Sequence, residues 1–261
     1  MVGNRLGLVL AGAIALAGGS GIAAAQATTA TPAASPTVQV VRTLPVDPLR
    51  TDWPNLKRFQ SDNSMLSAPA AGEHRIVFMG DSITEGWRRY GVPADPPDAA
   101  RAYVNRGISG QTTPQMLLRF RQDVIDLKPS VVVIFAGTND IAGNTGDMTA
   151  EQTEENFESM AELAHLHGIK VVLCSILPAF DFPWKPGRQP ADKIVAINRW
   201  IKDYAASNEH VYVDFYSAMV DARGGLPEKL SKDGVHPNPA GYAIMTPLVE
   251  AGIAQALGEK H

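Results

Sequence analysis

The sequence predicts an α/β fold: a parallel sheet with helices on both faces. Two observations carry the prediction. Short apolar runs of strand length recur five times along the chain, and segments of helical character lie between them. The clearest runs lack the polar alternation of a sheet wetted on one side, so both faces are expected to be covered. Units of this kind pair in parallel through right-handed crossovers.

The elements follow in order. Arg75-Ile76-Val77-Phe78-Met79 is a first strand, ending at Gly80, and a helix begins at Ser82 or Thr84. Tyr103-Val104-Asn105 is a weaker second strand. Pro114 to Leu127 has helical spacing, with Met116, Leu117, Phe120, Val124 and Leu127 on one side. Val131 to Phe135 is the clearest central strand. Thr149 to His167 is an amphipathic helix: Thr149 caps it, Glu151 and Glu154 suit its positive end, and Gly168 stops it. Lys170 to Ser175 is a fourth strand, Ala191 to Ser207 a helix, Val211 to Asp214 a fifth strand, and Pro239 to Leu257 a closing helix.

The residues before this alternation read differently. Arg5, the apolar run Leu6 to Ala17, and Ala25-Gln26-Ala27 form an export signal cleaved after Ala27, with a cut after Ala25 as the alternative. The run is short for a membrane span of ~20 residues. A lipid-modified cut would need a cysteine there, and Cys174 is the only one in the chain. The expected product is secreted or periplasmic, with no stable membrane insertion after cleavage. Residues 28–69 read as a disordered Ala/Thr/Pro/Ser-rich tether followed by an N-terminal arm, with Trp53-Pro54 on the domain or its pocket rim. Residues 70–261 read as one domain.

Composition narrows the function. With 45% hydrophobic and 19% charged residues the chain is globular. The net charge is −4 and no extended Lys/Arg tract occurs, so a nucleic-acid partner is not expected. A single cysteine excludes an internal disulfide framework and any multi-cysteine metal site.

In a parallel sheet the site forms beyond the carboxyl ends of the strands. Four polar blocks sit there: Gly80-Asp81-Ser82-Ile83-Thr84, Asn105 to Thr112, Gly137-Thr138-Asn139-Asp140, and Asp233-Gly234-Val235-His236-Pro237. Ser82 on a strand-to-helix turn is a candidate nucleophile, and it needs an adjacent base. His236 is the candidate base, and Asp233, three residues earlier, folds back to hold its tautomer. Acyl transfer also needs donors aimed at the developing oxyanion. The Ser82 and Gly110 amides and the Asn139 side chain are the available set. Singly, each block has a structural reading as a helix cap, a turn or a loop start. Their joint placement at successive strand ends is what points to chemistry.

With these four blocks the sequence resembles the SGNH (GDSL-type) hydrolases, a family of esterases, lipases and acylhydrolases. The resemblance rests on Phe78-Met79-Gly80-Asp81-Ser82-Ile83-Thr84-Glu85-Gly86, Gly110, Gly137-Thr138-Asn139-Asp140 and Asp233-Gly234-Val235-His236, over about 160 residues. Ile83 stands where the family nickname has Leu. The resemblance implies a three-layer α/β/α sandwich with a five-stranded parallel sheet in flavodoxin-like order 2-1-3-4-5, in which Ser82 and Asn139 face one another. It implies Ser82 as nucleophile, His236 as base and then acid, Asp233 as its orienter, and Ser82, Gly110 and Asn139 as the oxyanion hole. The Gly-x-Ser-x-Gly signature of the α/β-hydrolases is absent.

The expected activity is hydrolysis of a small-molecule, glycan or lipid ester through an acyl-enzyme, with no metal and no organic cofactor. Rival readings are an acyltransferase, a non-catalytic carbohydrate- or lipid-binding module, and a metal phosphoesterase using Asp81, Asn139, Asp140 and His236. Cys174 reads as a buried hydrophobe, and His165 and His167 point apart. Asp81 and Asp140 read as loop organisers. Trp87 suits either an acyl pocket or the core, and Phe180, Phe182 and Trp184 between Pro178 and Pro190 suit a substrate-side loop.

Overall fold

A computed structural model describes residues 51–90 and 100–259. The expected export signal, the tether and the first part of the arm, up to residue 50, lie outside these residues. The elements are α1 (Gln60–Met65), β1 (His74–Gly80), α2 (Ser82–Trp87), β2 (Arg101–Gly107), α3 (Thr113–Asp123), β3 (Val131–Phe135), α4 (Thr138–Ala142), α5 (Ala150–Leu166), β4 (Lys170–Cys174), α6 (Ala191–Ser207), β5 (Val211–Val213), α7 (Phe215–Met219) and α8 (Pro239–Leu257). The five strands are all parallel, in the order β2-β1-β3-β4-β5. This is the α/β sandwich and strand order expected.

Strand residues alternate between two cores, because successive side chains leave a strand on opposite faces. Val77, Met79, Val132, Ile134, Val171 and Leu173 pack under α3, α5 and α6 with Met116, Phe120, Phe157 and Ile197. Ile76, Phe78, Val131, Val133, Val172 and Cys174 pack on the other face, where α2, α7 and α8 contribute Trp87, Phe215, Met245 and Ile253. β1, β3 and β4 are therefore apolar on both sides, which is why their runs read as continuous, whereas the edge strand β2 carries Arg101, Asn105 and Arg106 and reads weakly. Trp87 belongs to this second core. It is fully buried, with Phe78, Phe135, Phe215 and Tyr242 around it.

Three short helices, α1, α4 and α7, go beyond the expected elements. All five residues of α4 are buried although Thr138, Asn139 and Asp140 are polar, so the segment has no apolar–polar division to give a periodic signal. The expected helix Pro114 to Leu127 stops at Asp123, where Val124 leaves helical geometry (φ −129°), and a single tight turn carries Ile125–Leu127. Among the described residues no helix is long and apolar enough to cross a membrane.

The arm that precedes β1 is fastened to α3 and the turn before it. Gln111, Gln115 and Gln122 donate side-chain hydrogen bonds to the main-chain carbonyls of Pro54, Trp53 and Leu56, at 2.7, 2.7 and 2.6 Å. Asn63 then donates to Asp123 (2.7 Å) and accepts from Arg106 (2.9 Å).

Candidate active site

The strand order reverses between β1 and β3, and a crevice opens there at their carboxyl ends. Gly80 ends β1 opposite Phe135 of β3 and Gly107 of β2. A Cβ at Gly80 would lie 2.6 Å from the Phe135 carbonyl, and one at Gly107 2.2 Å from the Glu85 nitrogen. Glycine at both positions lets the strands and α2 close up around the serine. Asp81 caps α2 by accepting from the Ile83 amide at 2.9 Å. Ser82 is the first helical residue, and its amide has no acceptor within the helix.

Ser82 Oγ lies 2.9 Å from His236 Nε2, across 154 residues of sequence. His236 Nδ1 lies 2.7 Å from Asp233 Oδ2. Asp233 is itself locked in place. Its Oδ1 accepts from the His236 amide (2.8 Å), the Val235 amide (3.0 Å) and the Ser231 hydroxyl (3.0 Å). Partial burial acts to raise the Asp233 carboxyl. The bonds from His236 and Val235 outweigh it and hold the group at about 2. An ionised Asp233 accepting from Nδ1–H leaves the Nε2 lone pair to accept from the Ser82 hydroxyl.

The Asn139 carboxamide lies deeper, where α4 follows the left-handed Gly137 (φ 106°). Its Nδ2 donates to the Gln111 carbonyl (3.0 Å) and to Asp81 Oδ2 (3.2 Å), and its Oδ1 accepts from Asn144 (2.8 Å). Gly110 takes the left-handed backbone (φ 78°), and its N–H makes no hydrogen bond to any described residue. Asn144 Nδ2 also donates to the Gly110 carbonyl at 3.2 Å. Ser82, Asp233 and His236 are thus brought into one chain of hydrogen bonds. Asn139 joins them through Asp81, and Gly110 joins through Asn144.

Asp81 and Asp140 organise the loops. Burial raises the Asp81 carboxyl to about 7, against the Ile83 amide and the nearby His236, which lower it. Burial likewise raises Asp140 to about 6, against its hydrogen bonds from Thr113. Asp140 accepts from the Thr113 amide (3.0 and 3.1 Å) and hydroxyl (2.5 Å), tying α4 to the start of α3. Among the described residues no three His, Cys, Asp or Glu side chains are grouped to hold a metal ion. Cys174 is buried in β4, and burial raises its thiol strongly.

Two residues were missed as part of this constellation. Trp184 packs on the His236 ring (5.9 Å between centroids) and donates to Asn144 Oδ1 at 2.9 Å. Asn144 thereby connects the loop after β4 with Asn139 and Gly110. Trp184 was expected as an aromatic of a substrate-side loop, and no local spacing links it to position 144. Phe182 beneath it is buried, whereas Phe180 is exposed.

Known proteins share this fold and parts of this sequence. Residues 78–244 match the GDSL-like lipase/acylhydrolase family. The chain is 35% identical over 184 residues to esterase TesA of Pseudomonas aeruginosa, covering 66% of this chain and 84% of that protein. It is 26% identical over 231 residues to an acetylxylan esterase of Xylanibacter ruminicola, covering 73% of this chain and 46% of that protein. The chain spans about half the length of two of the curated relatives it matches. A solved GDSL-like lipase from Bacteroides thetaiotaomicron superposes with a TM-score of 0.74 at 46% identity, covering 78% of this chain and 99% of that one. The matched stretch contains the Gly80-Asp81-Ser82 turn, Gly110, Asn139 and the Asp233–His236 pair. Sequence, sheet order and the polar residues at the strand ends converge, and the chain belongs to the GDSL-like lipase/acylhydrolase family.

Proposed function

We propose that this protein is an exported serine esterase that hydrolyses carboxylic esters through an acyl-enzyme on Ser82. The observation that carries the reading is the 2.9 Å contact between Ser82 Oγ and His236 Nε2, with Asp233 2.7 Å behind the ring. Family membership supports ester hydrolysis, as do relatives named as an esterase and an acetylxylan esterase. Export rests on the N-terminal pattern from Arg5 to Ala27.

Ser82 Oγ attacks the ester carbonyl carbon as its proton passes to His236 Nε2. The tetrahedral oxyanion is met by the Ser82 and Gly110 amides and by Asn139 Nδ2. The 3.2 Å bond from Asn139 to Asp81 is the longer of its two donations, and it is the one that gives way to the oxyanion. Burial favours a neutral Asp81, which weakens its competition for that hydrogen. His236 returns its proton to the departing alkoxide, and the alcohol leaves. Water then attacks the acyl-enzyme with His236 again as base, releasing the acid and Ser82. The Asp233 carboxylate steadies the imidazolium formed at each step.

The test is turnover of p-nitrophenyl acetate by purified Ser82→Ala. The expected loss in kcat is on the order of 10⁶. Undiminished turnover by folded Ser82→Ala would remove Ser82 from the mechanism.

A further inference from the structure

Hydrogen-bond polarity at the site leads outward from Asn139 to Trp184. A carboxamide has two ends of similar shape and opposite polarity, so partners of fixed polarity decide which end faces a substrate. The buried Asn139 has a partner at each end. The Gln111 carbonyl only accepts, and it takes a hydrogen from Asn139 Nδ2 at 3.0 Å. At the other end Asn144 Nδ2 donates to Asn139 Oδ1 at 2.8 Å. Asp81 Oδ2 lies 3.2 Å from Asn139 Nδ2, but burial favours its neutral form, which both donates and accepts and so leaves the orientation open.

Asn144 is a carboxamide too, and its own orientation has to be fixed. Trp184 supplies that. An indole N–H donates and never accepts, and Trp184 Nε1 lies 2.9 Å from Asn144 Oδ1. Asn144 Nδ2 therefore faces inward, where the Gly110 carbonyl accepts a second hydrogen at 3.2 Å. Every contact in the chain runs one way: from the indole to Asn144, and from Asn144 to Asn139 and Gly110. The chain ends on two of the three groups assigned to the oxyanion.

The start of the chain is anchored. The Trp184 ring packs on Phe182 (5.3 Å between centroids) and on His236 (5.9 Å). The Asp181 carboxylate ties the loop on itself, accepting from the Phe182, Gly187 and Arg188 amides at 2.9, 2.7 and 3.1 Å. Arg188 donates to Asp147 at 2.7 Å and clamps the same two loops a second time. We propose that Trp184 and Asn144 are positioning residues of the esterase reaction: Trp184 orients the Asn144 carboxamide, which holds Asn139 and the Gly110 turn as the oxyanion needs them. This rests on the serine-esterase reading and extends it to two residues that act through others.

Asn144→Asp is the discriminating substitution. It keeps the side chain's size and an acceptor for the Trp184 N–H, and it removes the hydrogens that face Asn139 Oδ1 and the Gly110 carbonyl. With p-nitrophenyl acetate, kcat is expected to fall about 10²-fold while KM stays within about twofold. A boronic acid that forms a tetrahedral adduct on Ser82 is expected to bind more weakly by a similar factor. Asn144 is exposed, so the melting temperature is expected to stay close to the parent's. Asn144→Ala, which puts no charge beside Asn139, is expected to lose about tenfold in kcat. Trp184→Phe keeps a ring beside His236 and lacks the donor, and is expected to lose about threefold to tenfold. In an Asn139→Ala background, Asn144→Asp is expected to cost less than about threefold, because its main route to the oxyanion is gone. Asn144→Asp and Asn144→Ala that both stay within about twofold of the parent in kcat would overturn the proposal. An Asn144→Asp loss as large in Asn139→Ala as in the parent would overturn it too. Undiminished kcat in folded Trp184→Phe would overturn the part given to Trp184. Each of these results comes from an active parent and leaves the serine-esterase reading standing, whereas a parent that turns over no ester would take both down.

Discussion

Replacing Asp233 by asparagine separates the two jobs of that carboxylate. Oδ1 accepts three hydrogen bonds, from the Val235 and His236 amides and the Ser231 hydroxyl. Oδ2 faces His236 Nδ1 at 2.7 Å. In Asp233→Asn the carbonyl oxygen takes the Oδ1 position, because the opposite orientation would set the amide hydrogens against those donors. The NH₂ group then faces Nδ1 and forces it to accept. The imidazole proton moves to Nε2, which presents a hydrogen to Ser82 Oγ instead of a lone pair. The turn survives while the base is lost. The corresponding tautomer change in a serine protease lowers kcat by about 10⁴. A loss of that order in kcat for p-nitrophenyl acetate is expected here, with a melting temperature close to that of the parent. Activity within about tenfold of the parent, in a folded variant, would refute the claim that Asp233 sets the tautomer.

Further outcomes follow from neighbouring contacts. Asn139→Ala is expected to lower kcat by about 10²–10³, with little change in the chemical-denaturation midpoint. Arg119 is fully buried, bonded to Gln111 Oε1 (2.6 Å), Asp123 Oδ2 (3.1 Å) and the Gly80 carbonyl (3.1 Å). Arg119→Met leaves the buried Asp123 charge without its cation, so a loss of about 3–5 kcal/mol is expected in urea unfolding. A cost below about 1 kcal/mol would contradict that reading. The raised carboxyls of Asp81 (about 7) and Asp140 (about 6), against ordinary values near 3.8, give stability a pH dependence. Their contribution is fully present below the unfolded value and is lost as pH rises through 6 to 7. Melting temperatures measured from pH 5 to 8 should fall, and the fall should be shallower in Asp81→Asn. An identical slope in both proteins would speak against a buried, proton-binding Asp81.

The sequence revealed what repeats and what sits at strand ends. Val131 to Phe135, and the strand expected at Lys170 to Ser175 that ends at Cys174, were legible because both faces of each strand are buried. Three of the polar blocks were legible because each interrupts the chain where a strand stops; the fourth, Asp233 to His236, lies beyond β5 and α7 and was legible from its Asp-x-x-His spacing. Helix α4 was hidden because it is five residues long and buries the polar Thr138, Asn139 and Asp140 beside Ile141 and Ala142, so no solvent face marks it. Trp87 was undecided from sequence, since an aromatic beyond a nucleophile turn fits pocket and core equally; packing against four aromatic rings places it in the core. The 2.9 Å bond from Trp184 to Asn144 joins two loops 40 residues apart, and the glutamine fastening of the arm spans about 60. Contacts of that kind depend on tertiary geometry and leave no mark in local spacing.

The central claim is a covalent acyl-enzyme at Ser82, and its most direct measurement is mass spectrometry after treatment with a fluorophosphonate probe. The expected result is one adduct per chain, mapped to the peptide containing Ser82, with ester hydrolysis lost in step with labelling. His236→Gln should label far more slowly, because the hydroxyl then lacks its base. An adduct on another residue, or an unlabelled Ser82 in a preparation that continues to hydrolyse esters, would contradict the account.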